Sequence, residues 1–324
     1  MLIHKLSRDT PEALTALIES YAFKPYRNYR ALSRRRQDAV LSAEIAEGLR
    51  VEGSFGFVAA DGAGGEVSVA AMVRPLPWDT EFFGIRMARL QVLRSPDSSM
   101  DGARGVVAAA LQESRDRGLQ HLAVRLDVAD TQTLQLLEDA GFRMMDALAT
   151  YIYHHKREAP APVKEMGVIR LFRPEDTESI LEITREAYRG FLGRYHLDPH
   201  LPRERSDELY LAWARKSCAG EWAQVVLVTE NSEGDISGWA SYRTIEPVSS
   251  VGQTPIQGGG LGACRRDRPG AYAGLIRAAA VRIHGGGGVT ECQTQLFNFS
   301  TIRIYEAVGT QFVRADYTLH AWLG

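Results

Sequence analysis

Charge of one sign, cysteine and long apolar runs are all scarce in this chain. Its 38 Lys and Arg stand against 40 Asp and Glu, a net charge of −2. That balance supplies no global field toward nucleic acid or a membrane surface. Three cysteines in 324 residues, Cys218, Cys264 and Cys292, lie far apart. They make neither a disulfide framework nor a metal-ligand spacing, so no metal is expected and a reducing, cytoplasmic compartment fits. No apolar stretch reaches the roughly 18 residues of a membrane span, so no membrane partner is expected. The first ten residues already contain His4, Lys5, Arg8 and Asp9, which leaves no signal-peptide core.

What is present is an ordinary globular composition, 45% hydrophobic and 24% charged, at a length that suggests two domains. In the first half, 2–6, 54–60, 66–73, 87–93, 121–128 and 142–153 read as strands. Helices are expected from Thr10 or Pro11, over 102–117 and over 131–140, the last stopping at Gly141. The turn-rich DGAGG joins two of the strands. A basic run from Lys24 to Arg36, with Tyr26 and Tyr29 interleaved, reads either as a phosphate- or RNA-binding face or as a solvated helix and loop surface.

The stretch EAPAPVK, 158–164, is a Pro- and Ala-rich joint. Helix, strand, strand, strand, helix, strand, helix, strand recurs on both sides of it, which implies two similar domains. The expected division is 1–157, a linker at 158–166, and 167–324. In the second half, strands are expected over 168–172, 224–230, 236–244, 256–265 and 310–323. Helices follow Arg173-Pro174 and span 206–217. Between them GFLGRYHLDPHLP reads as an irregular loop grouping Arg194, Tyr195, His196 and Asp198. The HGGGG string at 284–288 follows a helix and is read as a loop, not a phosphate cradle.

The chain is organised around VTECQTQLFNFSTIRIYEAVG, 289–309. Glu291, Gln293 and Gln295 alternate with Cys292, Thr294 and Leu296 in strand period. Asn298, Ser300 and Thr301 supply helix-start residues, and Gly309 closes the helix. Asn298 and Tyr305 are seven residues apart and share one helix face. Asn is also a common helix cap, and a Tyr on such a face is also ordinary core.

Strand, Asn, short helix, Tyr and Gly in this order resemble the last motif of the GNAT acyltransferases. The resemblance implies a mixed α/β (α+β) fold: two tandem GNAT-like domains, each a mixed, mostly antiparallel sheet flanked by helices. It implies acetyl-CoA or another acyl-CoA as co-substrate and a small-molecule amine as acceptor. Asn298 would contact the pantetheine arm, with Thr301 beside it, and Tyr305 would protonate the departing thiolate. Strand residues Leu261, Gly262, Ala263 and Cys264 would offer a backbone amide to the thioester oxygen. Arg265, Arg268, Gly270, Ala271 and Tyr272 fall on the pyrophosphate loop. There Gly270 matches the central Gly, while Asp267, Pro269 and Tyr272 depart from the pattern. The first half reads as a degenerate copy: SPDSSMDGARG stands at its phosphate loop and Leu136-Leu137 where a catalytic Tyr would be.

PLPWDTEFFG, 75–84, and Arg194-Tyr195 are similar to segments of dTDP-fucosamine acetyltransferases, which points to a nucleotide-linked amino-sugar as acceptor. Arg194, Tyr195, His196 and Glu246 are the acceptor-side candidates, with His196 and Glu246 as the bases considered. Another small amine, an amino acid or an aminoacyl-tRNA stays open as acceptor, as do a homodimer and a non-catalytic GNAT-like binding module.

Overall fold

The computed structural model describes residues 2–6, 11–60, 65–154, 159–160, 162–164, 166–268, 270–284 and 287–324. The DGAGG turn lies outside these except for its last Gly. So do Thr10, Pro269, parts of EAPAPVK and of HGGGG, and Arg8 and Asp9 of the N-terminal reading.

In chain order the first elements are β1 (Leu2–Lys5), α1 (Thr15–Ser20), α2 (Arg34–Arg50), β2 (Phe55–Ala60), β3 (Val67–Pro75) and α3 (Pro77–Phe83). Then come β4 (Met87–Arg94), α4 (Met100–Asp116), β5 (His121–Asp127), α5 (Thr131–Asp139) and β6 (Arg143–His154). The second series is β7 (Val168–Leu171), α6 (Thr177–Tyr188), α7 (Arg194–Leu197), α8 (Arg203–Cys218), β8 (Val225–Glu230), β9 (Ile236–Thr244) and α9 (Val248–Val251). It ends with β10 (Ile256–Cys264), α10 (Gly270–His284), β11 (Val289–Gln295), α11 (Phe299–Val308) and β12 (Gln311–Trp322). Helices α2, α3, α7 and α9 were not read from the sequence. Within α2 the polar Arg34–Asp38 start masks a buried stripe of Val40, Leu41, Ile45 and Leu49.

The first unit comprises residues 1–146 and 316–324. Its strands β1 to β4 pair antiparallel in chain order, and β4 runs parallel to β5 across α4. Alternation sorts β3: Val69, Ala71 and Val73 pack toward α4, Ala70 and Met72 toward α1 and α2. The C-terminal part of β12 completes this sheet, from Asp316↔Asp127 to Trp322↔His121.

The second unit, 147–315, repeats the plan. Strands β7 to β10 pair antiparallel, β10 runs parallel to β11 across α10, and β6 from Leu148 to His154 completes the sheet against β11. Helices α6 and α8 cover one face around Trp239; α10 and α11 cover the other. A division at 157 and 167 would leave β6 and β12 each in its own half. The observed units assign these two closing strands crosswise.

Edge strand β7 is tied down by charge. Arg170 donates to both oxygens of Asp176, at 2.7 and 2.9 Å, and also to Glu230. These bonds hold the buried Asp176 carboxyl below the usual carboxylate range. A carboxylate whose folded pKa is depressed contributes stability above its unfolded pKa, about 3.9, and loses it as pH falls through the folded value. Urea-unfolding free energy should therefore fall on acidification below about pH 4. In Arg170→Met this acid-dependent part should be absent; equal pH slopes for the two proteins would refute the linkage.

Candidate active site

The parallel ladder between β10 and β11 has three rungs, Ile256↔Val289, Gln257↔Thr290 and Gly258↔Glu291. Both strands continue past it, but they make no further rungs with each other. The cause is a bulge. Gly259 pairs with Tyr242 and Gly262 with Ala240, so β10 inserts one extra residue opposite β9. The glycines of QGGGLGAC make the bulge sterically accessible: a Cβ on Gly260 would lie 2.0 Å from the Trp222 ring. Ser241 fills the bulge. Its Oγ accepts from the Leu261 amide at 3.0 Å and donates to the Leu261 carbonyl at 2.9 Å.

Where the strands part, a narrow cleft is lined by Tyr242, Gly259, Gly260, Tyr272, Cys292 and Tyr305, among others. Tyr305 arrives there by helix geometry. Asn298 caps α11, its side chain accepting from the Thr301 amide at 3.3 Å, and Tyr305 follows two turns later. Tyr305 is 2% exposed, and its hydroxyl donates to the Gln293 carbonyl at 3.1 Å. It is also hydrogen-bonded to the Tyr272 phenol. This contact lowers the Tyr272 phenol and raises that of Tyr305.

Burial pushes the Tyr305 phenol well above its ordinary value, and raises Tyr272 and Tyr242 as well. An ordinary phenol near 10 is therefore not what stands in this cleft. The same low-dielectric surroundings would raise a thiolate leaving group too, so the proton remains transferable between them. Burial also raises the Cys292 thiol to about 12, which keeps it protonated and unreactive at neutral pH.

Other sequence candidates have defined local partners. The Asn298 amide nitrogen donates to Thr294 Oγ1 at 3.0 Å, so both ends of that side chain serve the strand–helix junction. The Leu261 amide serves Ser241, and the Gly262 carbonyl accepts from Tyr188 Oη at 3.0 Å. Ala263 is core, and Cys264 is half-buried with its thiol raised by burial. At the start of α10, Ala271 N donates to the Arg268 carbonyl. Arg265 pairs with Glu182 at 3.3 Å, Arg266 with Glu186 at 3.8 Å and Arg268 with Asp267 at 3.7 Å. A Cβ on Gly270 would meet Met166 Cγ at 2.8 Å, so a side chain of this chain already borders that glycine.

The loop after α6 builds an aromatic wall. Tyr188 stacks on Tyr210 at 4.4 Å, and Tyr210 on His196 at 5.6 Å, with Phe191 edge-on to all three. Phe191 also meets Phe297 at 6.4 Å, just beyond β11. His196 Nε2 lies 2.9 Å from Asp207 Oδ1, and its buried Nδ1 has no hydrogen-bond partner among the described residues. Arg194 lies over the Tyr195 ring at 4.3 Å. Glu246 stands apart from these: it is exposed and accepts from Ser250 N and Oγ at the start of α9.

Sequence reasoning missed Tyr242, Ser241 and Cys292 as cleft residues. The one available signal was GGGLG inside a strand, since interior glycines mark bulges.

Against known structures the whole chain aligns. A GCN5-related N-acetyltransferase from Sphaerobacter thermophilus gives a TM-score of 0.63 at 15% identity, over 99% of this chain and 95% of that one. A tandem GNAT protein from the clavulanic acid biosynthesis pathway gives 0.56 at 14% identity, over 100% and 98%. This chain has the GNAT fold, in tandem. The glucosamine N-acetyltransferase region of a fungal multi-domain GH3 β-N-acetylglucosaminidase gives 0.64 at 13% identity, over 99% of this chain and 38% of that one. In sequence, the spore coat polysaccharide biosynthesis protein SpsD of Bacillus subtilis (strain 168) is 28% identical over 151 residues. That match spans 47% of this chain and about half, 49%, of SpsD. No family profile matches the sequence.

The two GNAT units differ at the position of the phenol. In the first, Asp130 caps α5 by accepting from Thr133 N at 3.2 Å, as Asn298 does in α11, but seven residues on stands Leu137, fully buried. At the start of α4, Ser99 accepts from Gly102 N, while Asp101 adds negative charge there. The basic run partly turns inward. Arg27 makes two bonds to Asp127, at 2.5 and 2.9 Å, and buried Lys24 forms an ion pair with Asp38 and donates to the Glu19 and Tyr21 carbonyls. These cations are engaged within the unit, which favours the structural reading of that stretch. The PLPWDTEFFG string forms α3, closed by Gly84 at φ 69°.

Proposed function

We propose that this protein transfers an acetyl group from acetyl-CoA to a primary amine, by direct attack, in the cleft between β10 and β11. The observation that carries this reading is the parted parallel pair with Tyr305 buried at its base, within a GNAT fold. The pantetheine arm would enter where the ladder stops. The amine nitrogen attacks the thioester carbon, the C–S bond breaks, and Tyr305 gives its proton to sulfur. The proton lost by the amine then restores the Tyr305 phenol. A protonated Cys292 supports direct transfer over an acyl-cysteine intermediate.

The acceptor would lie against the aromatic wall of Tyr188, Phe191, Tyr210 and His196, with Arg194 and Tyr195 on the same loop. With Glu246 capping α9, His196 oriented by Asp207 is the better of the two bases considered. A nucleotide-linked amino-sugar is the acceptor class we favour. Supporting it are the likeness to SpsD, a polysaccharide-biosynthesis protein, and to the glucosamine N-acetyltransferase region.

The paired state of Arg265, Arg266 and Arg268, together with Met166 at Gly270, supports a second reading: a GNAT-like module that binds without turnover. One experiment separates the two. Thiol release from acetyl-CoA is followed with a panel of nucleotide-linked amino-sugars and simple amines, beside calorimetric binding of acetyl-CoA. Acceptor-dependent release with equimolar N-acetylated product is expected. Binding without release from any amine would favour the module, and no binding would remove acetyl-CoA as donor.

A further inference from the structure

A thioester under attack needs a hydrogen-bond donor at its carbonyl oxygen, because negative charge develops there. The Leu261 amide expected for this task is held by Ser241 Oγ, and that hydroxyl's own proton is on the Leu261 carbonyl. Tyr305 is committed to Gln293 and, in the proposed reaction, to sulfur. Cys292 offers only a weak S–H donor.

One strong donor in the cleft is unused. Tyr242, on β9, is 1% exposed, and its hydroxyl has no hydrogen-bond partner among the described residues. Its ring lies 3.7 Å from where a Cβ on Gly259 would sit, at the residue where β10 leaves β11. Its neighbours there include Cys292 and Tyr272, and it lines the same cleft as Tyr305. A buried hydroxyl without a partner is costly to the folded protein, and such groups in native structures call for an explanation.

We propose that Tyr242 donates a hydrogen bond to the thioester carbonyl oxygen of the bound acyl donor and holds the oxyanion as the tetrahedral intermediate forms. This rests on acyl-CoA being the donor. The two phenols then divide the work across the C–S bond, Tyr242 on oxygen and Tyr305 on sulfur. Burial raises the Tyr242 phenol, so its proton stays in place as a donor across the working pH range.

The test is Tyr242→Phe, which removes one oxygen and keeps the ring. Binding is compared for two CoA analogues, a ketone in which CH₂ replaces the thioester sulfur, and S-ethyl-CoA, which lacks the carbonyl. The wild-type protein should favour the ketone by about fivefold to tenfold. Tyr242→Phe should lose that preference and keep its affinity for S-ethyl-CoA. In turnover, kcat should drop about hundredfold with the acceptor KM little changed. Unfolding stability should not fall, because the deleted hydroxyl bonds nothing in the resting protein; a structural role would lower it. A ketone preference or kcat retained in Tyr242→Phe would overturn the assignment while leaving the acetyltransferase reading intact. Failure of either analogue to bind the wild-type protein would overturn both.

Discussion

Tyr305→Phe should lower kcat for acetyl transfer by about 10²- to 10³-fold, the scale of losing a positioned general acid. The substitution removes only the oxygen that donates to Gln293 and meets the Tyr272 phenol. The ring contact with Tyr151, at 5.5 Å between centroids, is kept. Substrate KM values should therefore change little. Because the acid's task is to protonate a poor leaving group, acyl donors with more acidic thiols should suffer less from the change. That dependence separates an acid from a packing residue. Full kcat in Tyr305→Phe, or an equal loss with every thiol, would end the proposed role. The variant should also lose about 1 kcal/mol of stability from its missing hydrogen bonds, in contrast to Tyr242→Phe.

Ser241→Ala should have the largest effect on stability among the cleft variants. Its hydroxyl satisfies both the amide and the carbonyl of Leu261 inside the bulge, where Ser241 is 1% and Leu261 4% exposed. Alanine would strand two buried backbone groups at once. A single unsatisfied buried group costs about 1–3 kcal/mol, so a combined loss of about 2–4 kcal/mol is expected in urea unfolding. The bulge separates β10 from β11, so activity should fall with it. Ser241→Cys, similar in shape but weaker in hydrogen bonding, should lie between. A loss under about 0.5 kcal/mol would show that the bulge does not depend on this plug.

Much of the fold was legible because its signals are local. The patterns in 66–73, 236–244 and 310–323 and the apolar stripe of α4 gave the right element types, since side-chain period follows directly from backbone geometry. The capped helix α11 and its phenol were legible for the same reason: Asn298 and Tyr305 are seven residues apart in one element. The parallel with Asp130 and Leu137 was legible too, and it marks which unit carries the phenol. Helix α2 was missed because charged residues at its start hide a stripe that only packing against β2 and β3 reveals.

The acceptor side was legible only in part. The group Arg194-Tyr195-His196 does sit together, but the stack that orders it depends on Tyr188 and Tyr210 from α6 and α8. Glu246 was a chemical candidate by residue type alone, and the structure spends it on the start of α9. The basic run was ambiguous in sequence because a charge pattern does not say whether a partner lies across the fold, as Asp127 does for Arg27, one hundred residues away.

The sequence by itself determined two similar α/β halves, a capped helix with a buried phenol in the second, and its loss in the first. Each rests on contacts within one turn, one strand or one duplicated pattern. Only the tertiary structure decided that β6 and β12 close the sheets crosswise, that β10 and β11 part after three rungs, and that Ser241 claims the Leu261 amide while the Tyr242 hydroxyl finds no partner among the described residues. Those depend on register between strands distant in sequence, where a shift of one residue sends a side chain to the other face of the sheet and changes every partner it has.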